Sequence, residues 1–235
     1  MRERQKNFTS PPKKYQPRGC SLLYEDHDIL VVDKIHGLLT VSTERVREQT
    51  AYYRVNTYVR KGNQKSKNRI WIVHRLDRDT SGVLVFAKNE QAKRYLQEAW
   101  QGFTKKYYAV VRGTFTKKAG VITSYLTENR MHKVYSVDDP HKGKLSKTGY
   151  TVLKASKMYS LLEIDLLTGR KNQIRVHLSE HGCPVAGDTK YGKTEKGMKR
   201  LALHAASITL LHPSTHDQMT FETPVPAYFE SLMAS

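Results

Sequence analysis

The second half of the chain is a series of consecutive strand patterns, and this order restricts the fold more than any other feature of the sequence. From Lys105 onward, short runs rich in apolar and β-branched residues follow one another. Consecutive strands pair readily as antiparallel neighbours, whereas a doubly wound sheet needs a helix after each strand. We therefore predict an α+β fold with a mixed, largely antiparallel sheet. The predicted strands lie at residues 107–113, 120–126, 149–156 and 159–167.

The remaining patterns combine helices with strands. The run Ile29–Lys34 predicts a buried strand, and Gly37–Val41 predicts a turn that leads into a second one. A helical pattern covers residues 44–60, and the polar basic loop 60–69 follows it. The other predicted elements are a strand entering His74, a strand at Val83–Ala87, helices at Glu90–Gln101 and about 171–180, strands near 206–211 and 219–222, and a helical turn near Tyr228.

The charge balance indicates a polyanionic partner. Lys and Arg number 40 against 22 Asp and Glu, which gives a formal net charge of +18. Nucleic acid is the first candidate and an anionic membrane surface the second. No segment approaches the roughly 18 to 20 consecutive apolar residues of a membrane-spanning helix. The N-terminus has no apolar core of the kind that a signal peptide needs. We therefore expect a nucleic-acid partner and no membrane.

Cysteine usage indicates the compartment, and local composition indicates the domain organisation. The chain has two cysteines, Cys20 and Cys183, and nothing about them suggests a disulfide framework, so we expect a reducing compartment such as the cytoplasm. Residues 1–20 are rich in basic residues and proline, which favours a disordered arm. Residues 21–235 contain no flexible linker and are predicted to form one catalytic domain.

A charged cluster lies in a turn directly before the apolar run Val83–Ala87. Arg75 and Arg78 flank Asp77 in this turn. Together with His74, these cations would lower the pKa of the Asp77 carboxyl group and keep it ionised near neutral pH. An ionised carboxylate on a rigid turn at a strand edge can act as a nucleophile or as a base. The alternative is a solvated turn whose charges neutralise one another, since ion-pair networks also perturb pKa values.

A glycine-containing turn that leads into a basic helix forms a second cluster, at residues 167–178. Such a turn exposes backbone donors and positive charge together, which favours anions such as phosphate. Asn172 and Arg175 lie three residues apart on the predicted helix and can share a face. Taken alone, the segment favours an ordinary solvated basic helix.

The predicted strand 107–113 carries two adjacent tyrosines. Alternation places Tyr107 and Ala109 on one face and Tyr108 and Val110 on the other. An aromatic ring beside a reacting carboxylate can stack on a flipped base, a contact worth about 1–3 kcal/mol. From the strand pattern alone, ordinary packing is the better account of either tyrosine.

Three segments together carry a pattern that is known from one family. Residues 74–82 read HRLDRDTSG, which fits HRLD, two variable residues and TSG. Residues 105–113 read KKYYAVVRG, which fits K-x-Y-x-A-x-V-x-G, and residues 169–177 read GRKNQIRVH, which is similar to G-R-x-H-Q-I-R-x-H. In these segments the chain resembles the RluA-type family of RNA pseudouridine synthases. One departure is Asn172, at a position where the family more often has His.

The resemblance implies a fold, a reaction and a set of site residues. The fold is a mixed sheet with a central active-site cleft, and the reaction isomerises a uridine within RNA to pseudouridine without cofactor or metal. Asp77 would be the catalytic carboxylate, Tyr107 would pack on the uracil, and Arg175 would pair with Asp77. Arg75 would fill the gap left by the flipped base. Further substrate contacts are implied at His74, Arg170, Asn172 and Gln173.

The substrate and the assembly are only partly defined by the resemblance. The target would be transfer RNA, ribosomal RNA or both, held by the catalytic domain together with the basic arm and the 60–69 loop. We expect a monomer.

Other interpretations stay open at this point. A non-catalytic RNA-binding protein on the same fold would share the charge but would not require Asp77, Tyr107 and Arg175 together. A ribonuclease is a weaker alternative, because no acid–base pair is marked by the sequence. The spacing of His177, His181 and Cys183 could hold zinc, but no fourth ligand lies nearby and the family uses this stretch without metal, so we expect a helix-end cluster there.

Overall fold

The computed structural model describes residues 8–42, 48–63, 65–193, 198 and 200–234. It divides into two compact units. The first unit comprises Met1–Phe103 and Ser207–Thr223, and the second comprises Thr104–Ala206 and Pro224–Ser235. Each unit combines strands with helices and has its own hydrophobic core.

The first unit is built on the strands β1 (Cys20–Glu25), β2 (Ile29–Lys34), β3 (Trp71–Ile72), β4 (Ser81–Ala87) and β11 (Gln218–Glu222), with β10 (Leu203–Leu211) entering it at Ser207. The pairs β1–β2, β2–β4, β3–β4 and β10–β11 are all antiparallel. Strand β4 is buried along its whole length, and β2 is buried at every residue except Asp33. These strands are apolar almost throughout because both of their faces are covered.

Two helices complete the first unit, α1 (Ala51–Val59) and α2 (Glu90–Glu98). Each begins at a residue that favours a helix start. The side chain of Thr50 accepts a hydrogen bond from the backbone N–H of Tyr53, and that of Asn89 accepts one from Ala92. A 3-10 turn, Ala99–Gly102, follows α2.

The basic arm is ordered where the structure describes it. The ring of Phe8 lies 5.7 Å from that of Tyr24, and the side chain of Gln16 accepts a hydrogen bond from the backbone N–H of Leu22 on β1. These contacts place residues 8–19 against β1, and residues 1–7 lie outside the described residues, so disorder of the arm stays a prediction. Composition does not reveal that one aromatic ring and one amide can hold a basic segment against a strand edge.

The second unit contains β5 (Thr104–Arg112), β6 (Ala119–Glu128), β7 (Val134–Val137), β8 (Lys144–Ala155), β9 (Tyr159–Leu166) and the first part of β10, with the helices α3 (Gln173–Glu180) and α4 (Ala227–Met233). Its strands lie in the order β5-β9-β8-β6-β7, and each neighbouring pair is antiparallel. Ile174 and Leu178 of α3 pack with Val110 and Leu162 in the core. This packing fixes the helix that carries Arg175.

The predicted fold class is confirmed, because the molecule is α+β with a mixed, mostly antiparallel sheet. Three local predictions were wrong or incomplete. Gly37–Val41 does not lead into a second strand, since Leu39 makes only an isolated bridge to Thr50. Strand β7 was not predicted. The helix expected over residues 44–60 is Ala51–Val59 in the described part of the chain, and residues 43–47 lie outside it.

Candidate active site

Asp77 lies in a turn between β3 and β4 that is held on both sides. The Thr40 hydroxyl donates to the carbonyl oxygen of Leu76 at 2.8 Å and accepts from its N–H at 3.1 Å. The N–H of Thr80 donates to the carbonyl oxygen of Asp77 at 3.2 Å. Leu76 and Thr80 are buried, whereas Asp77 is half-buried. The backbone around the carboxylate is therefore fixed while its side chain stays accessible.

A buried lysine fixes the same turn from the side of β2. Lys34 is 0% exposed, and its ammonium donates to the carbonyl oxygens of Ile35, Leu38 and Arg78 at 3.0, 2.8 and 3.2 Å. These bonds use all three of its donors. Burial lowers the pKa of Lys34 to about 8, although nearby acidic groups, among them Asp79 and Asp77, oppose the shift. Lys34 was not predicted as a site residue, and its signal in the sequence is a cation at the end of an apolar strand.

His74 holds the turn to β4. Its Nε2 accepts a hydrogen bond from the backbone N–H of Val85 at 3.0 Å, so this nitrogen carries no proton. Its ring stacks on that of Trp100, with 4.2 Å between centroids. This geometry favours a positioning role for His74 over the substrate contact that the sequence implied.

The cations that flank Asp77 differ in their surroundings. Arg75 is exposed. Arg78 Nε donates to the carbonyl oxygen of Gly37 at 3.3 Å and lies 4.0 Å from a carboxylate oxygen of Asp79. Because Arg78 and Asp79 are both largely exposed, their ion pair adds little stability.

Arg175 on α3 is buried and held by Asp188. Its Nε and Nη2 donate to the two oxygens of Asp188 at 2.7 and 2.8 Å. The N–H groups of Lys190 and Tyr191 donate to the same carboxylate at 2.9 and 3.0 Å. Burial alone would raise the pKa of Asp188, but the hydrogen bonds and charge of Arg175 hold it below its usual value. Asp188 therefore fixes the direction of the guanidinium.

The backbone at Gly187 makes the Asp188 loop possible. Gly187 has φ +75°, and a Cβ there would lie 2.2 Å from the carbonyl oxygen of Arg200. Only glycine combines this conformation with so close an approach. The link from Asp188 to Arg175 depends on tertiary structure.

Gln173, one of the predicted substrate contacts, is the first residue of α3. Its amide oxygen accepts from the hydroxyl of Thr168 and from the N–H of Arg170, and its amide nitrogen donates to the carbonyl oxygen of Lys147 and to the hydroxyl of Thr148. These four bonds use the full capacity of the amide, and the side chain is buried. Gln173 therefore shapes the turn before α3, and its contact with a substrate stays a prediction.

The other predicted residues of this turn face outward or begin the helix. Arg170 is exposed, and Asn172 is half-buried. Asn172 is the residue before α3 and has φ +54°, a left-handed conformation that Asn tolerates better than most residues. The substrate role that the resemblance implies for both residues stays a prediction.

Tyr107 lies at the middle of β5, half-buried and opposite Ile164 of β9. Lys105, two residues earlier and thus on the same face, is buried, and burial lowers the pKa of its ammonium. On the opposite face, Lys106 donates to Glu163 at 2.6 Å. The face that carries Tyr107 therefore also carries a buried cation that the sequence analysis did not single out.

The three residues with zinc-like spacing have other partners. His177 is buried, and its two ring nitrogens lie 3.0 and 2.9 Å from the hydroxyls of Ser124 and Thr148. Burial lowers the pKa of His177, which favours the neutral ring. His181 stacks on Phe115 instead, with 5.2 Å between ring centroids. Within the described residues, no group of three or more His, Cys, Asp or Glu side chains is placed to hold a metal ion.

Each unit contains some of the predicted site residues. His74, Arg75 and Asp77 belong to the first unit. The second unit carries Tyr107, Arg170, Asn172, Gln173 and Arg175. None of the described helices is both long enough and apolar enough to span a membrane.

Known structures with this arrangement of strands define the class of fold. One similar solved structure is that of a human protein named RNA pseudouridylate synthase domain containing 1. It superposes on this chain with a TM-score of 0.73 and is 26% identical in sequence, and the match covers 96% of this chain and 90% of the human one. A second human protein, RNA pseudouridylate synthase domain containing 4, superposes with a TM-score of 0.75 over 92% of each chain. Because its sequence identity is only 24%, this match shows a similar fold and nothing more. The fold is thus that of pseudouridylate synthase domains.

Sequence comparison gives the family. The family model described as RNA pseudouridylate synthase matches residues 28–180. The chain is 35% identical to the RNA pseudouridine synthase YhcT of Bacillus subtilis, over 90% of this chain and 70% of that protein. It is 31% identical to the ribosomal large subunit pseudouridine synthase C of Vibrio vulnificus, over 91% of this chain and 68% of that protein. The chain belongs to the RNA pseudouridine synthase family, of the RluA type, and is an isomerase that acts on RNA.

Proposed function

We propose that this RNA pseudouridine synthase modifies ribosomal RNA, transfer RNA or both, and that Asp77 is its catalytic carboxylate. The observation that carries the assignment is the fixed turn around Asp77. Thr40 and Lys34 bind the backbone of Leu76 and Arg78, the residues on either side of Asp77, and His74 ties the start of the turn to Val85 of β4. Such restraint is what a reacting group needs, because catalysis depends on holding it in one geometry.

The proposed reaction replaces the bond from N1 of the uracil to the ribose with a bond from C5. The bond between uracil N1 and ribose C1′ breaks, the base turns, and C5 bonds to C1′. The proton on C5 is lost and N1 gains one, so no redox cofactor is needed. Asp77 would either attack C1′ or remove the proton at the 2′ position, and both routes stay open in this proposal.

Arg175 and Tyr107 complete the proposed site. Arg175 would pair with Asp77 and orient it, and the Arg175–Asp188 pair supports this because it fixes the direction of the guanidinium. Tyr107 would pack on the uracil and assist removal of the C5 proton. The half-buried position of Tyr107 suits a ring with one accessible face.

Base flipping is part of the proposal. The target uracil must leave the helical stack before its glycosidic bond can be reached. Exposed Arg75 has the length and the planar cation to fill the gap that the base leaves. Arg170 and Asn172 would contact the RNA nearby, and His74 would act by positioning the turn.

The name of one relative supports ribosomal RNA as the substrate, whereas transfer RNA as the substrate rests on the family resemblance alone. The relative from Vibrio vulnificus is named a ribosomal large subunit pseudouridine synthase. We further propose that the protein acts as a monomer in a reducing compartment such as the cytoplasm, which suits its two buried free cysteines.

Product analysis tests this function. Unmodified ribosomal RNA and transfer RNA would be incubated separately with the protein, digested and separated as nucleosides. We expect pseudouridine to appear in at least one RNA as uridine is lost. RNA that is bound tightly but yields no pseudouridine would support the non-catalytic binding protein instead. Shortened RNA would point to the ribonuclease.

A further inference from the structure

We propose that a groove on the first unit binds a single-stranded segment of the substrate RNA. This inference rests on the proposed function and extends it to how the RNA is held. The groove lies between the basic arm and α1 and has a volume of about 730 Å³. We call it the tyrosine groove. Its lining includes four cations and two exposed tyrosines, namely Lys14, Tyr15, Arg18, Tyr53, Arg54 and Lys61.

The walls of the tyrosine groove are fixed by hydrogen bonds. Arg54 on α1 donates through Nη1 to the carbonyl oxygen of Arg18 at 2.8 Å, which ties the arm to the helix. The N–H of Ile35 donates to the carbonyl oxygen of Gly19 at 3.0 Å. Ile35 directly follows Lys34, the residue that holds the Asp77 turn. The groove is therefore a formed feature of the same unit that carries Asp77.

The groove presents aromatic rings that packing does not explain. Tyr15 is 61% exposed and Tyr53 is 37% exposed, so both rings keep much of their surface in solvent. The ammonium of Lys14 lies 4.9 Å from the centre of the Tyr15 ring. The hydroxyl of Tyr53 makes one long, exposed hydrogen bond to Glu48, at 3.5 Å, whereas that of Tyr58 donates to Glu25 at 3.0 Å in a half-buried position. Exposed rings beside cations are the usual platform for unstacked bases.

The charge of the lining selects nucleic acid. Every charged side chain that lines the groove, among the described residues, is a lysine or an arginine. A second cavity of about 460 Å³ shares Tyr58 and Lys61 with it and adds further cations, among them Lys67 and Arg69. The carboxylate there, Glu25, is already paired with Lys88 at 2.7 Å. Cations for phosphates and rings for bases together fit single-stranded RNA better than an acidic peptide, which offers nothing to stack.

The first test measures RNA binding by fluorescence anisotropy. The probe is an unstructured RNA of about 12 nucleotides, within the span that one such surface covers. Tyr15→Ala and Tyr53→Ala together should weaken binding by the intact protein about tenfold or more, because stacking on each ring is lost. The matched control is Tyr135→Ala, which removes another exposed tyrosine, on β7, and should leave binding unchanged. Equal affinity for the double variant and the wild type would overturn the inference.

The second test separates phosphate contacts from general charge. Lys14→Gln and Lys61→Gln should each reduce the slope of log affinity against log salt by about 0.7, the value for one phosphate contact to a single strand. Lys157→Gln removes an exposed cation in the second unit and should leave the slope unchanged. If all three variants lower the slope equally, charge alone holds the RNA and the groove is not its site. A polyglutamate peptide that competes as well as RNA of equal charge would also overturn the inference.

Turnover distinguishes failure of this inference from failure of the proposed function. On an RNA whose target uridine has single-stranded flanks, the double tyrosine variant should show a raised KM, and this rise should shrink when the flanks are deleted. Pseudouridine formation with the same KM in variant and wild type would reject the groove and keep the synthase. Loss of oligonucleotide affinity in the variant, with no pseudouridine from the wild type on any RNA, would support the groove and reject the function.

Discussion

The ammonium of Lys34 donates a hydrogen bond to the carbonyl oxygen of Arg78, 3.2 Å away and next to Asp77 in the chain. Its other two bonds go to the carbonyl oxygens of Ile35 and Leu38. A buried cation thus joins the end of β2 to the turn that carries the proposed catalytic carboxylate. The position of Asp77 depends on this bond as well as on its immediate neighbours.

Replacing Lys34 with Met should both destabilise the protein and slow its reaction. The variant leaves the three carbonyl oxygens without their donor, and a buried polar group without a partner costs about 1–3 kcal/mol. We expect the free energy of unfolding to fall by at least about 2 kcal/mol, and kcat to fall because the turn loosens. Urea unfolding and turnover measure the two effects. Lys157→Met, at an exposed lysine, is the control; wild-type values for Lys34→Met would contradict the role of the buried ammonium.

The lowered pKa of Lys34 predicts how stability changes with pH. In the folded protein this pKa is about 8, against 10.5 for an ordinary lysine. Between these values the unfolded chain binds more protons, so the contribution of Lys34 makes stability rise with pH over this range. The rise is at most about 3 kcal/mol, at 1.36 kcal/mol for each pKa unit. Unfolding free energies measured from pH 7 to pH 11 should show it as a difference between wild type and Lys34→Met. A difference that stays constant would contradict the shift.

Asp188→Asn should reduce turnover without removing RNA binding. The carboxylate fixes Arg175 through two hydrogen bonds, and a neutral amide retains only one acceptor for them. Breaking a buried ion pair costs up to about 3–5 kcal/mol of stability, and we expect kcat to fall about tenfold or more because Arg175 loses its orientation. Because the pKa of Asp188 is lowered in the folded state, its stabilisation is present above the ordinary value of 3.8 and is lost as the pH falls further. Turnover and acid unfolding profiles of the two proteins test both points. Unchanged kcat in a folded variant would show that Arg175 needs no such partner.

Two variants of Tyr107 should separate stacking from proton transfer. Tyr107→Ala removes the ring, so KM should rise about 5- to 100-fold, the range that corresponds to losing one base–aromatic stack. Tyr107→Phe keeps the ring and removes the hydroxyl, so KM should stay near that of the wild type while kcat falls. Steady-state kinetics on one RNA give both constants. If Phe and Ala change KM equally, the ring does not stack on the base.

The sequence was sufficient for features that depend on local pattern. Strand β2 has the predicted limits Ile29–Lys34, and β4 differs only by beginning at Ser81. Strand β7 was missed because Val134–Val137 is too short for alternation to stand out. Gly37–Val41 looked like the start of a strand because its residues are apolar, but a strand also needs a neighbour along its length, and Leu39 pairs only with Thr50.

Site roles were harder to predict because partners decide them. Nothing local to Lys34 shows that its ammonium reaches Arg78, which lies 44 residues further along the chain. Gln173 falls within a motif segment and looks like a substrate contact, yet its amide is used up by the turn that precedes α3. Asp77, Tyr107 and Arg175 came from a resemblance, and their catalytic roles stay predictions.

Tritium release from RNA labelled at C5 of uridine tests the central claim most directly. That hydrogen leaves only when C5 becomes the bonding atom, so release reports the isomerisation itself. The wild type should release tritium, and Asp77→Asn should release none while still binding RNA. Asp79→Asn, which removes an exposed carboxylate two residues away, should release tritium like the wild type. Release by Asp77→Asn at the wild-type rate would contradict the assignment of Asp77 as the catalytic carboxylate.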